Sequence, residues 1–174
     1  MRIAVISDVH GNLPALEAVA VDLRSRSVDA VINLGDSLSG PLLPRETAQF
    51  MMATDWLHLA GNHDRQILEV GPGSGTSDQF AHAQLGSEEL AWLASLPKTR
   101  EISPDVFACH GTPESDLICL LEEAERPASA LMIEARLADL IADVILCGHS
   151  HVPRSVRSSG RLIVNPGSVG QPAY

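Results

Sequence analysis

The sequence predicts an α/β fold built as one domain over residues 1–174. Three observations carry that expectation. Short β-branched runs recur along the chain, each closes on a polar segment of Gly, Asp, Asn or His, and helical apolar spacing separates the first of them in β-α-β order. Such an order requires a parallel or mixed sheet, with its chemistry where strands stop and loops begin.

Ile3–Ile6 is the first buried strand and stops at Ser7-Asp8. A helix follows, with Pro14 in its first turn and Leu13, Leu16, Ala20 and Leu23 forming an apolar stripe to Arg24. Residues 30–34 and 56–60 are the next two strands, ending at Gly35-Asp36 and Gly61-Asn62. After Asp64 a short helix runs to Val70 and breaks at Gly71-Pro72-Gly73-Ser74-Gly75. Those glycines precede no GK[ST] and follow no strand, so they read as a surface loop and not as a phosphate-binding loop. Ser87-Glu88-Glu89 opens a helix that Leu96-Pro97 closes. Residues 100–102 and 105–109 pair across a turn at Ser103-Pro104, and residues 128–142 carry helical spacing. A buried strand over residues 144–147 ends at Gly148-His149, and two last strands flank Ser158-Ser159-Gly160.

With 45% hydrophobic and 20% charged residues, the composition is that of a folded globular chain. A net charge of -10 and the lack of a long Lys/Arg run argue against stable nucleic-acid binding and make multivalent cations the easier partners. The three cysteines form no CxxC pair and are odd in number, which argues against a disulfide framework. The start of the chain lacks a secretory pattern and no apolar run reaches bilayer length, so a cytoplasmic address without membrane attachment is expected.

Five polar segments follow the strands: Asp8-Val9-His10, Gly35-Asp36, Gly61-Asn62-His63-Asp64, His110-Gly111 and Gly148-His149-Ser150-His151. Five of the seven histidines lie in them, and imidazole with carboxylate is the donor set of divalent cations. Taken singly, each segment is weak evidence. A loop carboxylate, an ordinary turn or a hydrogen-bonded core histidine accounts for most of them one at a time. His58 and His82 fall outside the segments and read as ordinary packing, and Trp56 and Trp92 read as core.

In their order, D-x-H, G-D, G-N-H-[DE], H and G-H-x-H, the segments resemble the signature of the calcineurin-like metallophosphoesterases. The opening Asp8-Val9-His10-Gly11-Asn12 and closing Asn165-Pro166-Gly167-Ser168-Val169-Gly170 look like the small bacterial phosphodiesterase branch of that family. The resemblance implies a four-layer α/β/β/α sandwich of two mixed sheets flanked by helices. It also implies two divalent metal ions, one held by Asp8, His10, Asp36 and His151 and the other by Asp36, Asn62, His110 and His149, with Asp36 as the bridge. Donors without thiolate favour manganese or iron, with zinc, nickel or cobalt able to occupy the site. Cys109 and Cys147 adjoin these residues, but neighbouring strand side chains point to opposite faces, which keeps them out of the cluster.

Hydrolysis of a phosphodiester by hydroxide held between the two ions is the implied activity, on a small diester or nucleotide-like substrate. His63 then serves the phosphoryl oxygens or the departing alkoxide, with Asp64 orienting its ring. Asn12, Arg65 and Arg154 adjoin motif residues as candidates for touching the phosphate, though a capping or solvated role suits each. The alternatives are a phosphomonoesterase and a non-catalytic scaffold of the same fold. Little chain follows Ser168, so one sheet is expected to expose an edge that a homo-oligomer covers. No insertion is long enough to cap the site, which is therefore expected to be open and shallow.

Overall fold

Alternation along the strands separates two apolar interfaces. Val106, Ala108, Val144, Leu146 and Val164 meet Ile3, Val5, Ile32, Leu34, Leu57 and Leu59 in one cluster. Phe107, Cys109, Ile145, Cys147 and Ile163 meet Ile133 and Leu137 in another. Because successive strand side chains face opposite ways, the first cluster is sheet on sheet and the second helix on sheet.

The structure is a computed structural model that describes residues 1–124 and 126–173. In chain order its elements are β1 (Ile3–Ile6), α1 (Leu13–Arg24), β2 (Ala30–Asn33), α2 (Pro44–Met52), β3 (Leu57–His58), α3 (Asn62–Leu68), α4 (Thr76–Gln84) and α5 (Ser87–Ser95). There follow β4 (Thr99–Ser103), β5 (Val106–Cys109), β6 (Glu122–Glu123), β7 (Arg126–Pro127), α6 (Ala130–Leu137), β8 (Val144–Leu146), β9 (Arg154–Ser158) and β10 (Arg161–Asn165). The first sheet has the order β1-β2-β3 and pairs in parallel. The second has the order β4-β5-β8-β10-β9, with β5, β8 and β10 parallel and antiparallel strands at both edges. β6 and β7 form a separate two-stranded ribbon.

A third cluster, Ile6, Val9, Leu16 and Met51 with Val19, Phe50 and Trp56, packs α1 and α2 on the outer face of the first sheet. Since α6 covers the outer face of the second, the layers run α/β/β/α. This is the architecture that the sequence led us to expect. The loops after β1, β2, β3, β5 and β8 leave the carboxyl ends of parallel strands, where open α/β sheets place their ligands. Among the described residues no helix is long and apolar enough to cross a membrane.

Elements differ from the sequence expectation in several places, among them a shorter β3 and the unexpected β6–β7 ribbon. α3 begins at Asn62, not after Asp64, because the Asp64 carboxylate accepts from Gly61 N–H (2.9 Å) and so closes the helix start three residues early. The helix expected over residues 128–142 ends at Leu137, where Ala138 takes a left-handed φ of 49°; Leu140 still packs on the core but Ile141 is exposed. α2 and α4 were not read from the sequence at all. Each is nine residues long, and α4 buries only Asp78 and Ala81 while exposing Phe80, so no apolar stripe marks it.

His58 lies outside the polar segments, as expected, and packs near Trp56 and Trp92 with ring Nδ1 unpartnered. Burial pushes its ring down to about 4, against a smaller upward pull from the Met51 carbonyl. Well above pH 6.5 the ring is neutral folded or unfolded and contributes no pH dependence. As pH falls from 6.5 through about 4, the unfolded chain takes the proton first and stability drops. That loss amounts to about 3 kcal/mol at most. In urea unfolding of metal-free protein between pH 7 and pH 4, His58→Phe should show a shallower acid loss than wild type; identical slopes would refute the assignment.

Candidate metal centre

Two clusters of donors assemble at the loop ends. Asp8, His10 and His151 each place a ligand atom within 4.8 Å of the others, and so do Asp36, His110 and His149. Within the first, His10 Nε2 lies 3.1 Å from His151 Nε2, which in turn lies 3.3 Å from Asp8 Oδ1. Within the second, His110 Nε2 lies 3.2 Å from Asp36 Oδ2. The His10 and His63 rings stand 5.6 Å apart between centroids, placing His63 beside the first cluster.

The chain fixes each ring by its outward nitrogen. His10 Nδ1 meets Ser39 O (2.6 Å), His110 Nδ1 meets Leu34 O (3.0 Å), His149 Nε2 meets Leu117 O (3.1 Å) and His151 Nδ1 meets Gln171 O. A carbonyl only accepts, so each outward nitrogen carries the N–H and the inward one is free to offer a lone pair. The inward atoms are Nε2 of His10, His110 and His151 and Nδ1 of His149.

Asn62 points its amide oxygen at His149 Nδ1 (2.9 Å) and at His110 Nε2 (3.3 Å). Turning the amide over would give those nitrogens a donor. As it stands, oxygen and two imidazole lone pairs converge, the arrangement that a shared cation satisfies, and we assign this orientation. Asp8 makes the same point. It is fully buried, its Oδ2 accepts from His149 N–H (3.2 Å), and its Oδ1 has no hydrogen-bond partner. The residues present therefore fit divalent cations.

Asp36 belongs to the second cluster, and its charge also acts on His10 of the first. Its Oδ1 accepts from His63 N–H (2.8 Å), which leaves Oδ2 as the atom directed at His110. Burial acts to raise its carboxyl, but the His110 ring, aided by His63 and His10, holds it well below the usual carboxylate range. Burial acts downward on His110, yet the adjacent Asp36 carries that ring up to about 9, so without a cation Nε2 keeps a proton facing Asp36, and a bound cation would take its place. Burial lowers His10, and burial with the neighbouring His110 lowers His149. For His151 burial is outweighed by Asp8 and the ring is raised.

Five of these seven residues adopt left-handed backbone, with φ of 57° at Asp8, 51° at His10, 53° at Asp36, 69° at His149 and 59° at His151. Each costs on the order of 1 kcal/mol or more and persists only where its surroundings dictate it. Here loops hold one another. Asp8 N–H donates to Gly35 O (3.0 Å), His10 N–H to Asp36 O (3.0 Å) and Gly148 N–H to His110 O (2.7 Å). The closing segment adds Asn165 Nδ2 to Gly148 O (2.7 Å), Ser168 Oγ to Asp8 O (2.7 Å) and Gly170 N–H to Asp8 O (3.0 Å). Asn165 and Ser168 thus support the centre without joining it.

One expectation is corrected, and two candidate residues are found engaged by the fold. Asp64 does not orient His63: its oxygens accept from Ser37 N–H (3.0 Å) and Gly61 N–H (2.9 Å), and burial together with the Asp36 charge raises it to about 7. The carboxylate on His63 is Asp78 of α4, whose Oδ1 lies 2.8 Å from His63 Nδ1 and accepts from Ser39 Oγ (2.6 Å). The sequence does not mark Asp78, since no apolar stripe announces the helix that carries it. Asn12 caps α1 through Ala15 N–H (3.3 Å) and donates to Gly170 O (3.1 Å), so its amide is engaged by the fold. Arg65 makes a two-pronged pair with Asp116 (2.9 and 3.1 Å). Cys109 and Cys147 lie in the core beneath α6, on the face away from the donors, as the alternation required.

A four-layer sandwich with paired clusters of imidazole, carboxylate and amide donors at its strand ends defines the class of protein. The sequence profile of the calcineurin-like phosphoesterase superfamily domain matches residues 1–174. An uncharacterised protein of Methanocaldococcus jannaschii is 29% identical over 204 residues, spanning 98% of this chain and 76% of its own. A crystallised metallophosphoesterase from Sphaerobacter thermophilus is 33% identical with a TM-score of 0.79, covering 99% of this chain and 78% of that one. An archaeal phosphodiesterase shares the fold at 19% identity and a TM-score of 0.55, over 97% of this chain and 84% of its own. The chain belongs to the calcineurin-like phosphoesterase superfamily.

Gly61 packs directly on Asp36, and a β-carbon there would collide with the Asp36 carboxylate. Manganese added to chelator-treated wild type should raise Tm, with stabilisation of about 4 kcal/mol at a thousandfold excess over Kd. Gly61→Ala should lose most of that rise in differential scanning fluorimetry; a full rise in the variant would show that Asp36 is not a ligand.

Proposed function

We propose that the chain hydrolyses phosphodiester bonds with two divalent cations, manganese or iron being the favoured pair. The observation carrying this reading is the pair of donor clusters, Asp8-His10-His151 and Asp36-His110-His149, with Asn62 directed at the second; Asp36 is the residue we assign as the bridge. Bound there, such cations would neutralise phosphate charge and acidify a water enough to supply hydroxide near neutral pH.

The chain's own residues do the rest. Their outward N–H bonds hold the four rings in place before substrate arrives, so little reorganisation accompanies reaction. Asp78 accepts His63 Nδ1–H and leaves Nε2 as the ring atom that passes a proton to the departing alkoxide while the P–O bond breaks. Positive charge at the rim is already committed, because Arg65 pairs with Asp116 and Arg154 with Glu122. A monoanionic diester needs less compensation than a dianionic monoester, which favours the diester. The size of that diester is left to the open rim, and small or nucleotide-like substrates suit it.

The test is a side-by-side assay with manganese of bis-(p-nitrophenyl) phosphate and p-nitrophenyl phosphate. Higher kcat/KM on the diester supports the reading, and the reverse preference defeats it. His63→Ala should lower kcat by about two orders of magnitude or more with metal content unchanged. Asp78→Asn should lower kcat about tenfold or more at unchanged metal content, whereas Asp64→Asn should act chiefly on stability, by about 1–3 kcal/mol in urea.

A further inference from the structure

His10 and His110 are anchored on the carbonyls of Ser39 and Leu34, both buried. His149 is not. Its anchor is the carbonyl of Leu117, a residue 56% exposed on the loop after β5. What holds that loop is Asp116, the preceding residue, whose carboxylate takes both prongs of the Arg65 guanidinium (2.9 and 3.1 Å). Arg65 is set by α3 and by Glu69 one turn on (3.3 Å), and α3 is the helix that begins with Asn62 and His63. The loop also turns back on itself through Thr112 and Ser115, but those bonds do not tie it to α3. The main-chain carbonyl of Asp116 lies 3.3 Å from the Asn62 amide oxygen, so helix and loop meet at the second donor cluster.

We infer that the Arg65–Asp116 pair is a positioning latch that sets His149 against Asn62 and thereby tunes the second cation group selectively. The fork matters as well as the charge, because two parallel N–H bonds fix the carboxylate plane and hence the peptide that carries the Leu117 carbonyl. Loss of the latch frees that peptide to swing, and His149 Nδ1 loses its aim. Asp8, His10 and His151 take no support from the latch. Support of this kind, one bond removed from a ligand, typically changes metal affinity about 10- to 100-fold.

The inference rests on the two-cation reading. Metal-free full-length protein is titrated calorimetrically with Mn2+ alone, with His149→Ala as the reference for loss of the second group. Wild type should bind two ions. Arg65→Met and Asp116→Asn should each weaken, by about tenfold or more, the site that His149→Ala removes, leaving the other unchanged. The double variant should be no weaker than the worse single one, and Arg65→Lys should fall between wild type and Arg65→Met. Unchanged affinity at both sites in the Arg65 variants overturns the latch alone. So does equal weakening at both sites with a lowered Tm of the metal-free protein, since that marks a general structural role. Fewer than two ions bound by wild type overturns the two-cation reading and the latch together.

Discussion

Each of the four donor imidazoles is held by one N–H to a main-chain carbonyl, and the rest of the centre depends on that bond. A ring without it would rotate, choose either tautomer and offer its lone pair in no fixed direction. With it, four inward nitrogens converge on two carboxylates and an amide from strands that are far apart in sequence. The anchors come from the loop after β2, the strand end at Leu34, the loop after β5 and the closing segment. A change that shifts any of those backbones therefore disturbs the donor clusters without touching a donor residue.

That requirement explains the unusual backbone. Left-handed φ at Asp8, His10, Asp36, His149 and His151 turns each side chain back over the sheet end, and an isolated loop would not keep it there. Loop-to-loop hydrogen bonds do, and they also satisfy polar groups that the tight convergence buries. Gly35, at φ 109° and pressed against the Gly61 backbone, shows how close two of these loops come. The two sheets supply the rigid floor, since Ile32, Leu34, Leu59, Ala108 and Leu146 pack between them directly below the donor loops.

Legibility in the sequence followed the physics of each element. β1, α1 and β8 announced themselves by β-branched runs and an apolar stripe, and the donor residues by standing immediately after such runs. α2 and α4 did not, because neither is long and their buried positions are mixed in character: α2 buries Pro44, Thr47, Ala48 and Met51, and α4 one aspartate and one alanine. For the same reason Asp78 was hidden. An acidic residue in a first turn is commonplace, and only burial and the facing His63 and Ser39 reveal what it does. Asp116 was hidden differently, since an ion pair between residues 65 and 116 leaves no local pattern.

The exchange of Asp64 for Asp78 has a physical logic. Asp64 is the third helical residue of α3, and a carboxylate there is within reach of the N–H groups at the helix start, as its bond to Gly61 shows. Used in that way, it closes the helix that presents Asn62 and His63, and both of its oxygens are consumed. His63 must then find its carboxylate from another element, and α4 brings Asp78 across. Ser39 completes the connection, giving its hydroxyl to Asp78 while its carbonyl holds His10. One residue of the loop after β2 thus ties the His63 ring, through Asp78, to a donor of the first cluster.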